Sequence, residues 1–216
     1  MKYKAILWDL DGTLLYTLTD LRDAVVHALT VYGLPPRSLT EVRAMVGNGI
    51  RNLIERAVPA GTDPAVTDAV FEEFRAYYGV HCRDTTAPYE GIPELLAELS
   101  RAGILSAIVS NKADFATRDL AEYHFGNLVS LAVGAREDMP KKPAPDMIFY
   151  ALRELGVSPA EAVYIGDSEV DVETAAGAGL CGIAVNWGFR DEAELRKAGA
   201  RVIVSSPEEL RGILLG

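Results

Sequence analysis

Residues 4–13 read KAILWDLDGT, and this stretch decides the fold. Residues 4–8 have the short apolar character of a buried strand, and Asp9-Leu10-Asp11-Gly12-Thr13 follows at once. Side chains two apart in an extended segment lie on one face, so Asp9 and Asp11 point the same way. In an open parallel sheet, ligands bind outside the carboxyl ends of the strands, which is where this acidic pair would stand.

Working outward, the chain turns helical. Leu21, Val25, Leu29 and Tyr32 recur at helical spacing from about Thr19, and Gly33 supplies a stop. Ser38 and Glu41 have capping-box spacing. The turn Gly47-Asn48-Gly49 breaks the pattern, and Asp63-Pro64 is a cap with a first-turn proline ahead of a helix to about Tyr78. Residues 17–82 carry no strand signal. From residue 91 the grammar changes. Helix IPELLAELSRAG closes at Gly103, and strand ILSAIVS ends at Ser110. Helix ADFATRDLAEYH, strand NLVSLAVG, helix PDMIFYALRELG, strand AEAVYIG and helix EVDVETAAGAG follow, and LCGIAVN and RVIVS complete the series. Strand alternating with helix predicts an α/β fold with a doubly wound, mostly parallel sheet. The helical block interrupts it directly after the first strand. The predicted organisation is therefore an α/β core of residues 1–16 and 83–216 with an inserted helical cap of residues 17–82.

Three polar clusters close apolar strands: Asp9 to Thr13, Ser110-Asn111-Lys112, and Asp167-Ser168 with Asp171 four residues beyond Asp167. They should converge at one sheet edge. Unit charges about 4 Å apart repel by about 4 kcal/mol at an effective dielectric near ~20, so three carboxylates together call for a cation. A hard divalent ion with oxygen ligands fits, and Mg2+ fits best where a substrate phosphate completes its shell. A carboxylate not consumed by the metal can attack phosphorus, and a second one can protonate the leaving alkoxide. Charge on the phosphoryl oxygens needs fixed donors, for which Ser110 and Lys142 are chosen. Pro143 restricts Lys142 to an extended approach to the next helix. Each piece also has a plain structural reading: Asp11-Gly12-Thr13 as a turn, Asp171 as a helix N-cap, and Arg51 as a solvated helix arginine.

Taken together, these residues resemble the haloacid dehalogenase superfamily, in its phosphoglycolate-phosphatase-like branch with a helical cap. The motifs are Asp9-Leu10-Asp11-Gly12-Thr13, Ser110 at its strand end, Lys142 in KKPAPD, and GDSEVD carrying Asp167 and Asp171. The resemblance spans nearly the whole chain and implies a Rossmann-like core. It also implies roles. Asp9 would be nucleophile and metal ligand, and Asp11 general acid/base with its carbonyl on the metal. Asp167 would be the third ligand, and Asp171 would act behind the ligands or through metal-bound water. Ser110 and backbone amides near Leu10 and Asn111 would hold phosphate. Lys142 would orient Asp9, and Arg51 beside the Gly47–Gly49 turn would face substrate. Relatives usually carry an acidic or amide residue where Tyr16 stands at the core–cap hinge, which bears on substrate preference. The implied activity is Mg2+-dependent hydrolysis of small phosphomonoesters through an aspartyl-phosphate. A sugar phosphomutase of the same fold and a non-catalytic regulator retaining it remain as alternatives.

Bulk properties exclude other classes. The 216-residue chain has a net charge of −10, which opposes a general nucleic-acid binder, for that would need a basic face. The expected partner is a small phosphorylated metabolite, with no nucleic acid and no membrane, in a monomer or homodimer. Cys82 and Cys181 lie in no metal or redox spacing and read as reduced cytosolic thiols. Lys2 and Lys4 before an apolar run imitate a signal peptide, but Asp9 and Asp11 fall inside it and no small-residue cleavage site follows. The expected location is the cytoplasm.

Overall fold

The computed structural model describes residues 3–216, so Lys2 lies outside the described residues. The described chain forms two compact units, residues 3–15 with 88–216, and residues 16–87.

The first unit opens with β1 (Ala5–Trp8), and β2 (Leu15–Tyr16) begins the exit from it. The second unit holds α1 (Leu18–Val31), α2 (Leu39–Met45), α3 (Ile50–Ala57) and α4 (Pro64–His81), and the chain returns through β3 (Ala87–Pro88). The core then runs α5 (Ile92–Arg101), β4 (Leu105–Ala113), α6 (Asp114–Phe125), β5 (Leu131–Ala135), α7 (Asp146–Leu155) and β6 (Ala162–Gly166). It ends with α8 (Glu169–Gly177), β7 (Cys181–Val185), α9 (Glu192–Lys197), β8 (Ile203–Val204) and α10 (Pro207–Leu215).

Six strands form one sheet in the order β5-β4-β1-β6-β7-β8, and every pairing is parallel. Strand β1 is central, with Ala5 opposite Leu105 on one side and Ala162 on the other. The chain winds outward from β1 through β4 and β5, then restarts at β6 on the opposite flank. The strand order therefore reverses at β1, and the crevice beyond its carboxyl end is the topological switch point where such sheets bind ligands. The period-two alternation of β1 feeds two apolar layers. Ile6 and Trp8 pack with Leu95, Leu96 and Leu99 of α5 and with Leu210 and Leu214 of α10. Ala5 and Leu7 pack with Met147, Ile148, Ala151 and Leu152 of α7. A sheet covered on both faces needs strands apolar at every position, which is why β1 reads as an unbroken run.

The helical unit is built from the predicted signals. Ser38 and Glu41 form a reciprocal capping box on α2, and Asp63 accepts from the Ala65 amide (2.7 Å) with Pro64 in the first turn of α4. Leu21, Val25 and Leu29 are buried on α1.

Several boundaries differ from expectation. Tyr32 is exposed, because α1 stops at Val31 and Gly33 takes a left-handed φ of 66°. Helix α4 continues to His81, beyond Tyr78. Strand β4 runs past Ser110 to Ala113 through a register shift against β5, and β5 starts only at Leu131 because residues 126–128 form a 3-10 turn. The helical unit extends to Ala87 instead of ending near residue 82, because buried Asp20 accepts from the backbone N–H and hydroxyl groups of both Thr85 and Thr86. Both cysteines are free, Cys82 buried and Cys181 exposed. Among the described residues no helix is long and apolar enough to cross a membrane.

Candidate active site

Asp9 follows β1 directly, and its amide donates to the Ile165 carbonyl of neighbouring β6 (2.8 Å). This bond carries the sheet ladder one residue beyond the strand and fixes where the carboxylate leaves the edge. The next residues fold tightly. The Leu10 carbonyl accepts from the amides of Thr13, Leu14 and Leu15, and Gly12 takes a φ of 89°. A Cβ on Gly12 would overlap the Asp167 carboxylate, so only glycine lets the loop pass beside β6. Leu10 is itself buried among apolar side chains. A phosphate contact at this position must therefore run through its backbone N–H.

Lys142 joins the elements. Its ammonium donates at 2.8 Å to Asp9 Oδ1, to Asp171 Oδ1 and to the Tyr164 hydroxyl. The side chain reaches this point because Asn111 clasps the Lys142 backbone. The Asn111 amide donates to the Lys142 carbonyl (3.0 Å), and the Lys142 N–H donates to Asn111 Oδ1 (2.9 Å). The Asn111 side chain is committed to Lys142, so the phosphate contact expected near Asn111 falls to the backbone N–H groups, as the resemblance implies.

Asp167, following β6, accepts from the Thr13 hydroxyl (3.2 Å) and the Phe189 amide (2.7 Å). Gly188 permits the second bond, since a Cβ there would collide with Asp167 and the Gly12 carbonyl. Asp171 sits in the first turn of α8. Its Oδ2 accepts from the Ser168 hydroxyl (2.6 Å) and amide (3.1 Å), a capping box at the helix start. A side chain at Gly166 would strike Asp171. Ser110 is buried, and its Oγ accepts from the Lys112 amide (3.3 Å). Lys112 is also buried and donates to both Asp11 oxygens, at 3.1 and 3.3 Å. Arg51 is held within the helical unit by Glu55 and Asp68, both at 2.7 Å, with its guanidinium 5.2 Å from the Phe71 ring centroid.

The electrostatics follow from burial. Desolvation raises the Asp9 pKa to about 6 against the pull of Lys142, with Asp171 and Asp11 adding to the rise. Asp167 is raised well above the usual carboxylate range by burial, then by Asp171 and Asp9. Burial would also raise Asp171, but the Lys142 ammonium and the Ser168 and Tyr164 hydroxyls outweigh it and hold it low. Burial opposes the charge on Lys142, yet Asp171 and Asp9 keep it protonated and raise its pKa.

Oxygens of Asp9, Asp167 and Asp171 lie within 4.8 Å of one another. Asp171 accepts four hydrogen bonds, two on each oxygen and one of them from the Lys142 ammonium, whereas Asp167 accepts one per oxygen and Asp9 Oδ1 accepts from Lys142. Asp9 and Asp167 therefore have more free lone pairs for an ion, and Asp171 stands behind them. Four carboxylates (Asp9, Asp11, Asp167, Asp171) face two ammonium groups (Lys112, Lys142), so two negative charges stay unbalanced. An all-oxygen donor set with that excess fits a hard divalent cation.

Residues 6–185 match the sequence profile of the haloacid dehalogenase-like hydrolases. The chain belongs to that family. Among its relatives, the N-acetylmuramic acid 6-phosphate phosphatase of Pseudomonas aeruginosa is 33% identical over 99% of this chain and 96% of its own. The phosphoglycolate phosphatase of Pseudomonas putida is 30% identical over 99% of this chain and 79% of its own. A crystal structure of a protein from Lactobacillus delbrueckii subsp. bulgaricus, provisionally called a phosphoglycolate phosphatase, covers 100% of both chains with a TM-score of 0.95 and 35% identity. The haloacid dehalogenase core is thus shared from end to end, and the named relatives are phosphatases.

Some of the site was not foreseen. Tyr164 and the Gly188–Phe189 turn carry no role in the sequence reading, and Thr13, Lys112 and Ser168 stand in its polar clusters without one. The one available signal was that Tyr164 is the polar-tipped residue in an otherwise apolar strand, AVYIG.

Proposed function

We propose that this chain hydrolyses small phosphomonoesters with Mg2+, using Asp9 as a covalent nucleophile. One observation carries the reading. At the switch point of the sheet, Asp9 Oδ1 is pinned by Lys142, while Oδ2 has no hydrogen-bond partner among the described residues. A carboxylate held by one oxygen and open at the other is suited to attack.

Asp9, Asp167 and the Asp11 carbonyl would hold the magnesium ion, which when bound supplies positive charge to the phosphoryl oxygens. In the first half-reaction the Asp9 carboxylate attacks phosphorus and the ester P–O bond breaks. The Asp11 carboxylic acid gives its proton to the departing alkoxide. In the second, Asp11 takes a proton from water, the water oxygen bonds to phosphorus, and the bond from phosphorus to Asp9 breaks. Phosphate leaves and both aspartates are restored. Asp11 is paired with Lys112 in the resting state, so its acid/base cycle requires it to exchange that partner for the ester oxygen. Ser110 and the backbone N–H groups of Leu10 and Asn111 would hold the phosphoryl oxygens. Lys142 fixes the nucleophile, and Asp171 with Ser168 fixes Lys142. The helical unit would act as the cap, with Arg51 facing substrate and Tyr16 at its hinge.

The substrate class suggested by the relatives is a phosphomonoester that also carries a carboxylate. Phosphoglycolate and N-acetylmuramic acid 6-phosphate both meet this description. The test is release of inorganic phosphate from p-nitrophenyl phosphate and from a panel of phosphorylated acids and sugars, with magnesium and with chelator. Magnesium-dependent turnover, highest on a carboxylate-bearing ester, is expected. No turnover on any ester in the presence of magnesium would sink the proposal.

A further inference from the structure

An alkylammonium has three N–H bonds, and Lys142 gives all three to protein acceptors at the same distance: Asp9 Oδ1, Asp171 Oδ1 and the Tyr164 hydroxyl, each 2.8 Å away. Two acceptors are charged and belong to the proposed machinery. The third is neutral and comes from the middle of β6, with its side chain buried in the apolar cluster that also holds Ala5, Leu7 and Met147. The hydroxyl has its own acceptors, Asp171 Oδ1 at 2.9 Å and the Val109 carbonyl of β4 at 3.2 Å. It therefore ties the ammonium to the strands on both sides of β1.

We propose that Tyr164 is a positioning residue for the reaction: by filling the third N–H of Lys142 it locks the ammonium onto Asp9 and so sets the angle of attack. The inference rests on the phosphatase reading. Without the hydroxyl, the buried N–H must find another acceptor, and Lys142 can do so only by rotating away from its present contacts. Asn111 fixes the Lys142 backbone and leaves that rotation to the side chain. Asp9 then loses its fixed Oδ1 contact, although every group that touches substrate is still present.

The experiment uses the full chain, p-nitrophenyl phosphate and magnesium, with wild type and Tyr164→Phe. Phenylalanine keeps the ring in its slot beside the ammonium, whose nitrogen lies 5.6 Å from the ring centroid, so only the hydroxyl is lost. A displaced nucleophile acts on the chemical step, so kcat should fall about tenfold or more while KM changes less than about twofold. Unchanged kcat, or a rise in KM at constant kcat, overturns the proposal. A second variant guards against a general loss of fold. If Tyr164 works through Lys142, Tyr164→Phe must cost clearly less in a Lys142→Arg background than in wild type, and an equal cost overturns it. Failure of wild type to turn over any ester would strike the phosphatase reading. Robust wild-type turnover with an unaffected Tyr164→Phe would strike this inference alone.

Discussion

Lys142→Met is the perturbation whose size the structure fixes best. The substitution keeps length and apolar volume but removes a buried cation that touches Asp9 and Asp171 at 2.8 Å each. Removing one partner of a buried ion pair typically costs about 3–5 kcal/mol, because the surviving charge stays desolvated and unpaired. Here two carboxylates are orphaned, so a loss near the top of that range, about 4–5 kcal/mol, is expected at about pH 7.5 in chelator. The penalty requires ionised carboxylates. Asp9 already has a pKa of about 6 with Lys142 present, so at about pH 5 it protonates and the loss should fall to roughly half or less. Magnesium should restore part of the loss at about pH 7.5 by binding the native carboxylates but not the unfolded chain. The assay is urea unfolding of wild type and variant at both pH values, with and without magnesium. A loss below about 1 kcal/mol at about pH 7.5, or an equal loss at both pH values, would refute the reasoning.

Three further outcomes follow from the same geometry. In chelator, Asp9 binds more protons in the native than in the unfolded state between the ordinary 3.8 and about 6, so its contribution to stability is lost as pH rises through that window. Wild type should therefore lose about 2 kcal/mol relative to Asp9→Asn from about pH 4 to about pH 7, a difference that unfolding curves would show and that magnesium should shrink. Gly188→Ala forces a Cβ against Asp167 and the Gly12 carbonyl, so the magnesium concentration for half-maximal turnover should rise about tenfold or more, and an unchanged requirement would exclude Asp167 as a ligand. Lys112→Met removes both bonds to Asp11 while the variant stays folded, and turnover should drop at least about tenfold; full activity would show that Asp11 needs no placement by Lys112.

The ends of the strands were legible because each breaks an apolar run with a polar residue at a fixed point. Asp9 after β1, Ser110 within β4 and Asp167 after β6 stand out for this reason, and the structure sets Asp9 and Asp167 within reach of one ion. The contacts between elements were not legible. Lys112 looks like one more surface lysine until the extension of β4 carries it to Asp11. The sequence reading ended that strand at Ser110. The clasp of Asn111 on Lys142 joins residues 31 apart, and Tyr164 meets Lys142 from a strand 22 residues on. Periodicity shows which way a side chain points along its own element. It is silent on which residue of another element stands opposite, because that depends on the register of non-adjacent strands. The tie from Asp20 to Thr85 and Thr86, which carries the helical unit to Ala87, leaves no local pattern at residues 83–87 for the same reason.

Covalent attack by Asp9 is the central claim, and its product can be seen directly. Wild type should be mixed with a phosphate ester and magnesium, quenched in acid during turnover, digested and mapped by mass. The account predicts one phosphoryl group on the peptide containing Asp9, removed by hydroxylamine as an acyl phosphate and absent from Asp9→Asn, which should not turn over. A phosphoryl group on another residue, or wild-type rates in Asp9→Asn, would contradict it.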